Sequence, residues 1–564
     1  MARQRLSAVV MTHPRRREAA EKLALSAPSG LLRVVMDPDP TGTPSVLRTA
    51  LAAWSAIEDG ATHQLVIQDD MVLSESFYDR VRSAIEARPD AALALFALWD
   101  SRNGAAVRMA AMAGARWVGA VNEYFPCVAI VLPRRHAEGF AAYGRRRLGG
   151  WPDDILMHRY LRDRGVPRYV AVPNLTEHED RGSISGNAFR GPRRSVCFLP
   201  KDAPAEETRT LTGLTVLPFF KHGVAQCAVR APGPGPEHWL HMDTHQYLEG
   251  AGLPKSLLDP PGAGPAAPDV KATWLTALAM GYEATRTGLA TPPPGDEAYA
   301  EALATIGPGG ISNAATEEHI AQRREPLAEV ARRALEAGRE AATGQRPRPR
   351  SRERSGLVWR GAANPLGEHL ARRLADRREP ADAVIDLTRL HSAERKVTIH
   401  RQGDPTPYTL SVGEIYGPGC SPRTPIGRMV WDALRSHPIT VEGDPGAETH
   451  PLYVHDLADA IATVLRTRPD DHTLTVTSEE PCTAAELARA VHDAVRPVPI
   501  RASPQTAPGW HTPPDHARPP GWTPATGRAR GLHAFAQWLA YEGILLDSDE
   551  PSHGGGSRSG PTPP

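Results

Sequence analysis

Leu65-Val66-Ile67-Gln68-Asp69-Asp70-Met71-Val72-Leu73 constrains this chain more than any other stretch. An apolar run of this length must be buried, yet two adjacent carboxylates interrupt it. Burying such a pair is costly unless a cation or hydrogen-bond donors meet the charge. Carboxylate oxygens suit Mg²⁺ or Mn²⁺, and either ion can in turn hold a diphosphate. The plainer alternative is a strand end whose acids are solvated in the turn that follows.

The flanking chain gives the run a setting. Leu6 to Met11 reads as a strand closed by Thr12-His13-Pro14, and Arg15 to Ser26 carries helical spacing. Leu31 to Met36 is a second strand, ending at Asp37. Pro44 to Glu58 places Val46, Leu47, Ala50, Leu51, Trp54 and Ile57 on one helical face. This alternation starts a doubly wound parallel sheet, whose ligands gather at the carboxyl ends of the strands. His13, Asp37 and the Asp69-Asp70 pair therefore share one edge.

Here the residues resemble a known fold. Leu65–Leu73 followed by a helix from Ser76 to Arg88 resembles the DxD-type segment of GT-A glycosyltransferases, which bind a nucleotide-sugar through a divalent metal. Gly119-Ala120-Val121-Asn122 before the strand Val128–Leu132 is similar to the same fold. So are Trp151-Pro152-Asp153-Asp154 and Pro173 to His178 with Ser183 and Asn187. The resemblance implies that Asp70, with Asp69 and the late His178, holds Mn²⁺ or Mg²⁺, that Asp69 stands nearer the ribose, and that Asp154 or Asp153 is the base. A metal there would neutralise the departing nucleoside diphosphate, and the carboxylate would take the acceptor's proton. Asp153 and Asp154 also read as helix N-terminal acids favoured by the dipole. Arg15 to Arg17 could meet phosphate or lie exposed.

At 564 residues the chain needs two or three cores. Its formal net charge is +0, from 65 basic and 65 acidic residues, so no global field argues for nucleic acid. No stretch reaches the roughly 20 apolar residues of a membrane span and no signal-peptide core is read, so a soluble, cytoplasmic protein is expected. Cys127, Cys197, Cys227, Cys420 and Cys482 are scattered and form no CxxC pair, which supports neither a disulfide framework nor a zinc knuckle.

Between 201 and 345 the chain reads as mainly helical or irregular, broken by proline and glycine clusters. His238, His241 and His245, with Asp243 between, stand at helical spacing; lacking cysteine or an HExxH frame, they are a weak metal signal. Helices are expected over Ala272–Thr287 and Glu317–Ala342. The proline-broken basic run at 346–355 reads as a linker.

From Gly356 the pattern changes. Leu357-Val358-Trp359-Arg360, Gly361-Ala362-Ala363-Asn364-Pro365-Leu366-Gly367, Ser411 to Gly419 and Pro451 to Ala460 resemble an extended short-chain dehydrogenase/reductase, the NAD-dependent epimerase/dehydratase family. Gly361 and Gly367 stand at its dinucleotide turn. Asn364 replaces the middle glycine, and its side chain would crowd a pyrophosphate that needs bare backbone. The stretch from Leu387 to Leu410 is too short for a complete Rossmann half. The family's Tyr-x-x-x-Lys pair is absent: Lys396, the only lysine of this part, has Ser392 four residues before it. His450 stands where members carry a phosphate-gripping arginine. NAD(P) is therefore not expected to be used catalytically.

The expected architecture is α/β. A GT-A-like domain at 1–200 precedes the middle region at 201–345, the linker at 346–355, a degenerate epimerase-like domain at 356–545 and a disordered tail at 546–564. The expected partners are a nucleotide-sugar donor and an acceptor, with a homodimer contact through the C-terminal domain. The competing readings are a scaffold of two relic folds and a working NAD-dependent sugar epimerase or dehydratase.

Overall fold

The structure is a computed structural model. It describes residues 4–28, 30–42, 45–147, 151–179, 191–202, 206–231, 238–262, 265–290, 295–344, 356–375, 382–390, 394–478, 480–503 and 510–543. The expected linker at 346–355, the tail at 546–564, Ser183 and Asn187 lie outside these residues. Among the described residues no helix is long and apolar enough to cross a membrane, and all five cysteines are free thiols.

The N-terminal part is a mixed α/β unit. In chain order it runs β1 (Leu6–Thr12), α1 (Arg17–Ser26), β2 (Leu32–Met36), α2 (Val46–Ser55), β3 (His63–Gln68), β4 (Met71–Leu73), α3 (Phe77–Ala87) and β5 (Ala92–Ala94). It continues through α4 (Arg102–Met112), β6 (Trp117–Gly119), β7 (Ala129–Pro133), α5 (Arg134–Arg145), α6 (Asp153–Asp163), β8 (Arg168–Ala171), β9 (Thr176–His178) and β10 (Thr210–Leu211). The eight-stranded sheet has the order β10-β6-β8-β5-β7-β3-β1-β2. Its central strands are buried along almost their whole length because both faces are covered. Ser45 caps α2 by accepting from the Arg48 N–H at 3.3 Å, and Leu47, Ala50, Leu51 and Trp54 then face the core.

Two expectations change here. The sheet is mixed, not parallel throughout, because β7 enters at the carboxyl end of β3 and runs back along it, with Gln68 N–H bonded to Val128 O at 2.8 Å. The Leu65–Leu73 run is also two strands. The chain turns at Asp69-Asp70, and β4 leaves the main sheet to pair with β9.

The middle part is less helical than its composition suggests. β11 (Val216–Lys221), β12 (Val224–Arg230) and β13 (Trp239–Asp243) form an antiparallel sheet. His241 therefore lies on a strand, Asp243 caps α7 (Thr244–Gly250) and His245 is in that helix, which breaks the helical spacing read for the histidines. Behind the sheet stand α8 (Pro268–Arg286), α9 (Glu297–Ala304), α10 (Ile306–Ile311) and α11 (Glu317–Gly344). α8 and α11 approach backbone to backbone through reciprocal glycines. A Cβ on Gly281 would stand 2.0 Å from Leu335 O, and one on Gly338 2.1 Å from Leu278 O.

The C-terminal part has a five-stranded sheet of β14 (Leu357–Arg360), β15 (Ala383–Asp386), β16 (Lys396–Arg401), β17 (Tyr408–Val412) and the strand Thr473–Val476. Its outer pairs are parallel, but β15-β16-β17 is an antiparallel meander. The short span after Leu387 leaves room for a hairpin and not for crossover helices. Helices α12 (Pro365–Ala375), α13 (Pro425–Leu434), α14 (Val454–Thr467), α15 (Ala484–Ala494) and α16 (Arg528–Trp538) pack around it.

The outer parts touch. After α16, a π-helical turn (Leu539–Gly543) inserts Glu542 against α4, where Arg102 Nη1 meets Glu542 Oε1 at 2.9 Å with both side chains fully buried. Asn122 Nδ2 donates to Glu542 Oε2 at 3.1 Å, and His238 Nδ1 lies 2.9 Å from the same oxygen. Trp151 and Trp431 add an edge-to-face contact with ring centroids 4.5 Å apart. Removing one partner of a buried pair leaves an uncompensated charge. Glu542→Ala is expected to cost ~3–5 kcal/mol in the stability of this junction, read as lost hydrogen-exchange protection over residues 102–112 and 528–543.

Candidate functional site

The Asp69-Asp70 turn is held from three directions. Thr12, at the end of β1, donates a short hydrogen bond from its hydroxyl to Asp69 Oδ2. Arg16 closes the 3₁₀ turn Pro14–Arg16, which His13 caps by accepting the Arg15 N–H at 3.2 Å on Nδ1. That turn aims the guanidinium back, so that Arg16 Nη1 lies 2.8 Å from Asp70 Oδ2 and 3.1 Å from Asp69 Oδ1. The third hold is β9. Met71 pairs opposite His178, Glu179 N–H donates to Asp70 O at 2.7 Å, and His178 Nε2 comes to 3.4 Å from Asp70 Oδ2.

Both carboxylates are buried, at 9% and 7% exposure. Burial, and then the charge of Asp70, raise the Asp69 carboxyl against the opposing pull of Thr12 and Arg16. Arg16 is held above its ordinary value, since the two acids outweigh the burial that works against its charge. Asp70 Oδ1 is buried and accepts no hydrogen bond.

This arrangement tests the metal expectation. Two carboxylates and an imidazole with one orphaned carboxylate oxygen are a donor set suited to Mn²⁺ or Mg²⁺. As the side chains stand, Arg16 is the cation between the acids, and among the described residues no group of three or more His, Cys, Asp or Glu is arranged to hold a metal.

Asp153 and Asp154 begin α6 beside the loop that leads into β7. Asp154 O accepts the Phe125 N–H at 3.1 Å, and burial first, then the charges of Asp153 and Asp154, raise the partly buried Cys127 thiol, next to the residue that bonds Gln68. Burial first, then the neighbouring Asp154 charge, push the Asp153 carboxyl up to about 7. Asp37 is engaged elsewhere: Arg48 grips it through two hydrogen bonds of 2.7 Å, and together with the Asp39 N–H holds it below the usual range despite its burial.

In the C-terminal part, Gly361 takes a left-handed φ of 67°, and a Cβ on Gly367 would stand 2.3 Å from Ala362 Cα, so both glycines serve close strand-to-helix packing. Asn364 fills the turn between them. Its Oδ1 accepts the Gly367 N–H at 2.9 Å and its Nδ2 donates to Gly361 O at 3.0 Å. The N–H that a phosphate would use is thus taken by the chain itself. Lys396 lies 3.2 Å from Glu394 and His450 3.1 Å from Glu448.

No protein-family model matches the chain, and no curated protein matches it. Solved structures that it resembles include UDP-glucose 4-epimerase of Thermus thermophilus in complex with NAD (24% identity, 45% of that chain, TM-score 0.21). Others are dTDP-glucose 4,6-dehydratase of Bacillus anthracis with NAD (20%, 43%, TM-score 0.21) and UDP-glucuronic acid 4-epimerase of Bacillus cereus with UDP-glucuronic acid and NAD (15%, 44%, TM-score 0.20). The likeness is to NAD-dependent epimerases and dehydratases. Each match covers 23% of this chain, which spans less than half the length of the matched structures.

Arg16 was expected only as one of three arginines, Arg15 to Arg17, that could meet phosphate or lie exposed, and its pairing with both acids was not foreseen. Its signal was the distance from Thr12, one short turn past a strand end that shares an edge with Asp69. The raised Asp153 carboxyl sets a pH dependence. A group that binds its proton more tightly when folded contributes stability that is complete below its unfolded value, near 3.8, and is lost as the pH climbs through about 7. Asp153→Asn is therefore expected to gain Tm relative to the unsubstituted chain at pH 8 and to lose that advantage at pH 4, measured by thermal unfolding.

Proposed function

We propose that the chain is a nucleotide-sugar-dependent glycosyltransferase whose N-terminal unit binds the donor diphosphate at Asp69, Asp70, His178 and Arg16. The observation that carries this is the buried, partnerless Oδ1 of Asp70 beside His178, in a turn that already gathers one cation. Two carboxylates against one guanidinium leave the cluster acidic, and a diphosphate would be repelled by it without added positive charge. Asp70, Asp69 and His178 are the residues that would hold Mn²⁺ or Mg²⁺. Bound there, the ion would supply positive charge against the departing nucleoside diphosphate. Arg16 bridges the two acids and would offer its guanidinium to the donor phosphates. Asp153, whose carboxyl sits close to neutral, takes the acceptor proton, with Asp154 keeping its affinity for that proton high.

A second reading, an NAD-dependent sugar epimerase or dehydratase, is favoured by the Gly361–Gly367 turn. Against it stand the Asn364 cap over the helix N-terminus and the lack of a Tyr-x-x-x-Lys pair. We read the C-terminal unit as retained for assembly.

The test is a thermal-shift series with UDP- and GDP-sugars, with and without Mn²⁺. Nucleotide with Mn²⁺ should raise Tm, by the equivalent of ~2.7 kcal/mol at a hundredfold excess over Kd. Asp70→Ala should abolish the rise. Arg16→Ala should bind Mn²⁺ alone more tightly, because the resident cation is gone, and the nucleotide about tenfold more weakly. An unchanged shift in Asp70→Ala, or none with any nucleotide, sinks the transferase reading; a shift with NAD⁺ alone supports the second.

A further inference from the structure

Away from the carboxylate turn, β13 and α7 of the middle part face α12 and α14 of the C-terminal part across a cavity of about 450 Å³. A smaller hollow of about 290 Å³ shares His241, Arg373 and His455 with it. The first volume falls in the range of small-molecule sites. Leu240 and Met242 give the cavity an apolar side. The opposite wall is rich in nitrogen donors: α12 supplies His369 and the cations Arg372 and Arg373 within five residues, and α14 supplies His455 in its first turn.

The imidazoles are held in an arrangement that wants an anion. His369 and His455 stack with ring planes 8° apart, and their Nε2 atoms face each other at 2.9 Å, so one must donate to the other. His241 is 7% exposed, and its Nδ1 is buried with no hydrogen-bond partner. Arg372 likewise carries a buried Nη1 without a partner. Burial pushes His241 and His369 down to about 3, and the charged neighbours that add to the shift are all cationic: Arg102, Arg373 and Arg530 around His241, Arg372 and Arg373 around His369. His455 is lowered in the same way. Acids stand on both sides: Glu249 lies 3.6 Å from His245 and 4.0 Å from Lys255, and Asp459 of α14 lies 3.4 Å from Arg373, whose other nitrogen donates to Gln246, so an anion would share Arg373 with these partners.

We propose that this cavity binds a small phosphate-bearing metabolite, its oxyanion held by Arg372 and Arg373 together with the imidazoles of His241, His369 and His455, and its remaining body against Leu240 and Met242. Two guanidiniums and three imidazoles present more donors than one carboxylate can accept, whereas a phosphate or diphosphate has the oxygens to match them. The site is separate from the Asp69-Asp70 turn. Because its walls come from two parts of the chain, the anion would also fasten the C-terminal unit to the middle one.

The experiment is calorimetric titration of the full chain with inorganic pyrophosphate and inorganic phosphate, repeated in an Asp70→Ala background so that the carboxylate turn cannot account for the signal. Saturable pyrophosphate binding is expected in both backgrounds, weakened at least tenfold by Arg372→Gln and by His241→Gln. Binding that is absent, that is lost with Asp70→Ala, or that survives both cavity substitutions overturns the proposal. Should the cavity variants fail to fold, the histidine Cε1 proton signals of the unsubstituted chain decide. They move downfield with pyrophosphate and not with equimolar chloride if the imidazoles face the anion, and stay in place if they do not.

Discussion

A buried charge that only a distant part of the chain can satisfy organises this molecule. Every residue of α4 is buried, including Arg102 and Arg108, so the charge of both guanidiniums has to be met inside the protein. Arg108 is answered by the middle part, through Ala302 O at 2.9 Å and Thr305 Oγ1 at 3.0 Å, and burial still lowers it to about 9. Arg102 donates to Asn122 O at 3.1 Å within its own unit, but its charge is answered by Glu542, four hundred and forty residues on. Apart from Arg102, Asn103 and Arg108, the helix is alanine, glycine, valine and methionine, so it is enclosed on every side, and enclosure makes the three parts interdependent.

The carboxylate turn was legible in outline because its cost was legible. An apolar run broken by two acids must find compensation, and that argument holds whichever cation supplies it. Arg16 was hard to see because an arginine in the first turn after a strand is ordinarily solvated. Only the parallel pairing of β1 with β3 and the 3₁₀ turn at Pro14–Arg16 swing it over the strand ends. His178 could be named from order along the chain, but the register of β4 against β9 that puts it opposite Met71 is a tertiary fact. The parallel sheet was over-extended for a similar reason: a fully buried strand reads the same in either direction, so β7 gives no sign of being antiparallel.

In the middle part the opposite error arose. Proline and glycine clusters marked the breaks correctly, but Val216 to Arg230 alternates too little to announce a hairpin, and three histidines spaced by three and four residues imitate a helix. The C-terminal part carried its departures openly. Asn364 in place of glycine predicted a crowded turn, and the side chain does occupy it, as a cap that accepts the Gly367 N–H in the first turn of α12. Once a helix has been capped from within, the field that drew a pyrophosphate to its N-terminus is already engaged.

The buried network gives the C-terminal unit a physical bearing on the candidate site. Lowered by burial and then by Arg168 and Arg162, His158 stays neutral, so its two nitrogens have opposite roles. Nδ1 accepts from Arg168 at 3.2 Å, and Nε2 donates to Asn122 Oδ1 at 2.6 Å. Asn122 is then left with its amide to give, and it gives it to Tyr541 O and Glu542 Oε2. This polarity runs one way, from α6 through the loop at 122 into the C-terminal turn, and each member fixes the orientation of the next. The same loop continues to Phe125, whose N–H is bonded to Asp154 O, and on to Cys127 beside Asp153. Asp153 and Asp154 are therefore braced by residues that the end of the chain holds in place. The C-terminal part, with its Gly361–Gly367 turn filled by Asn364, thus braces the start of α6 in the N-terminal part.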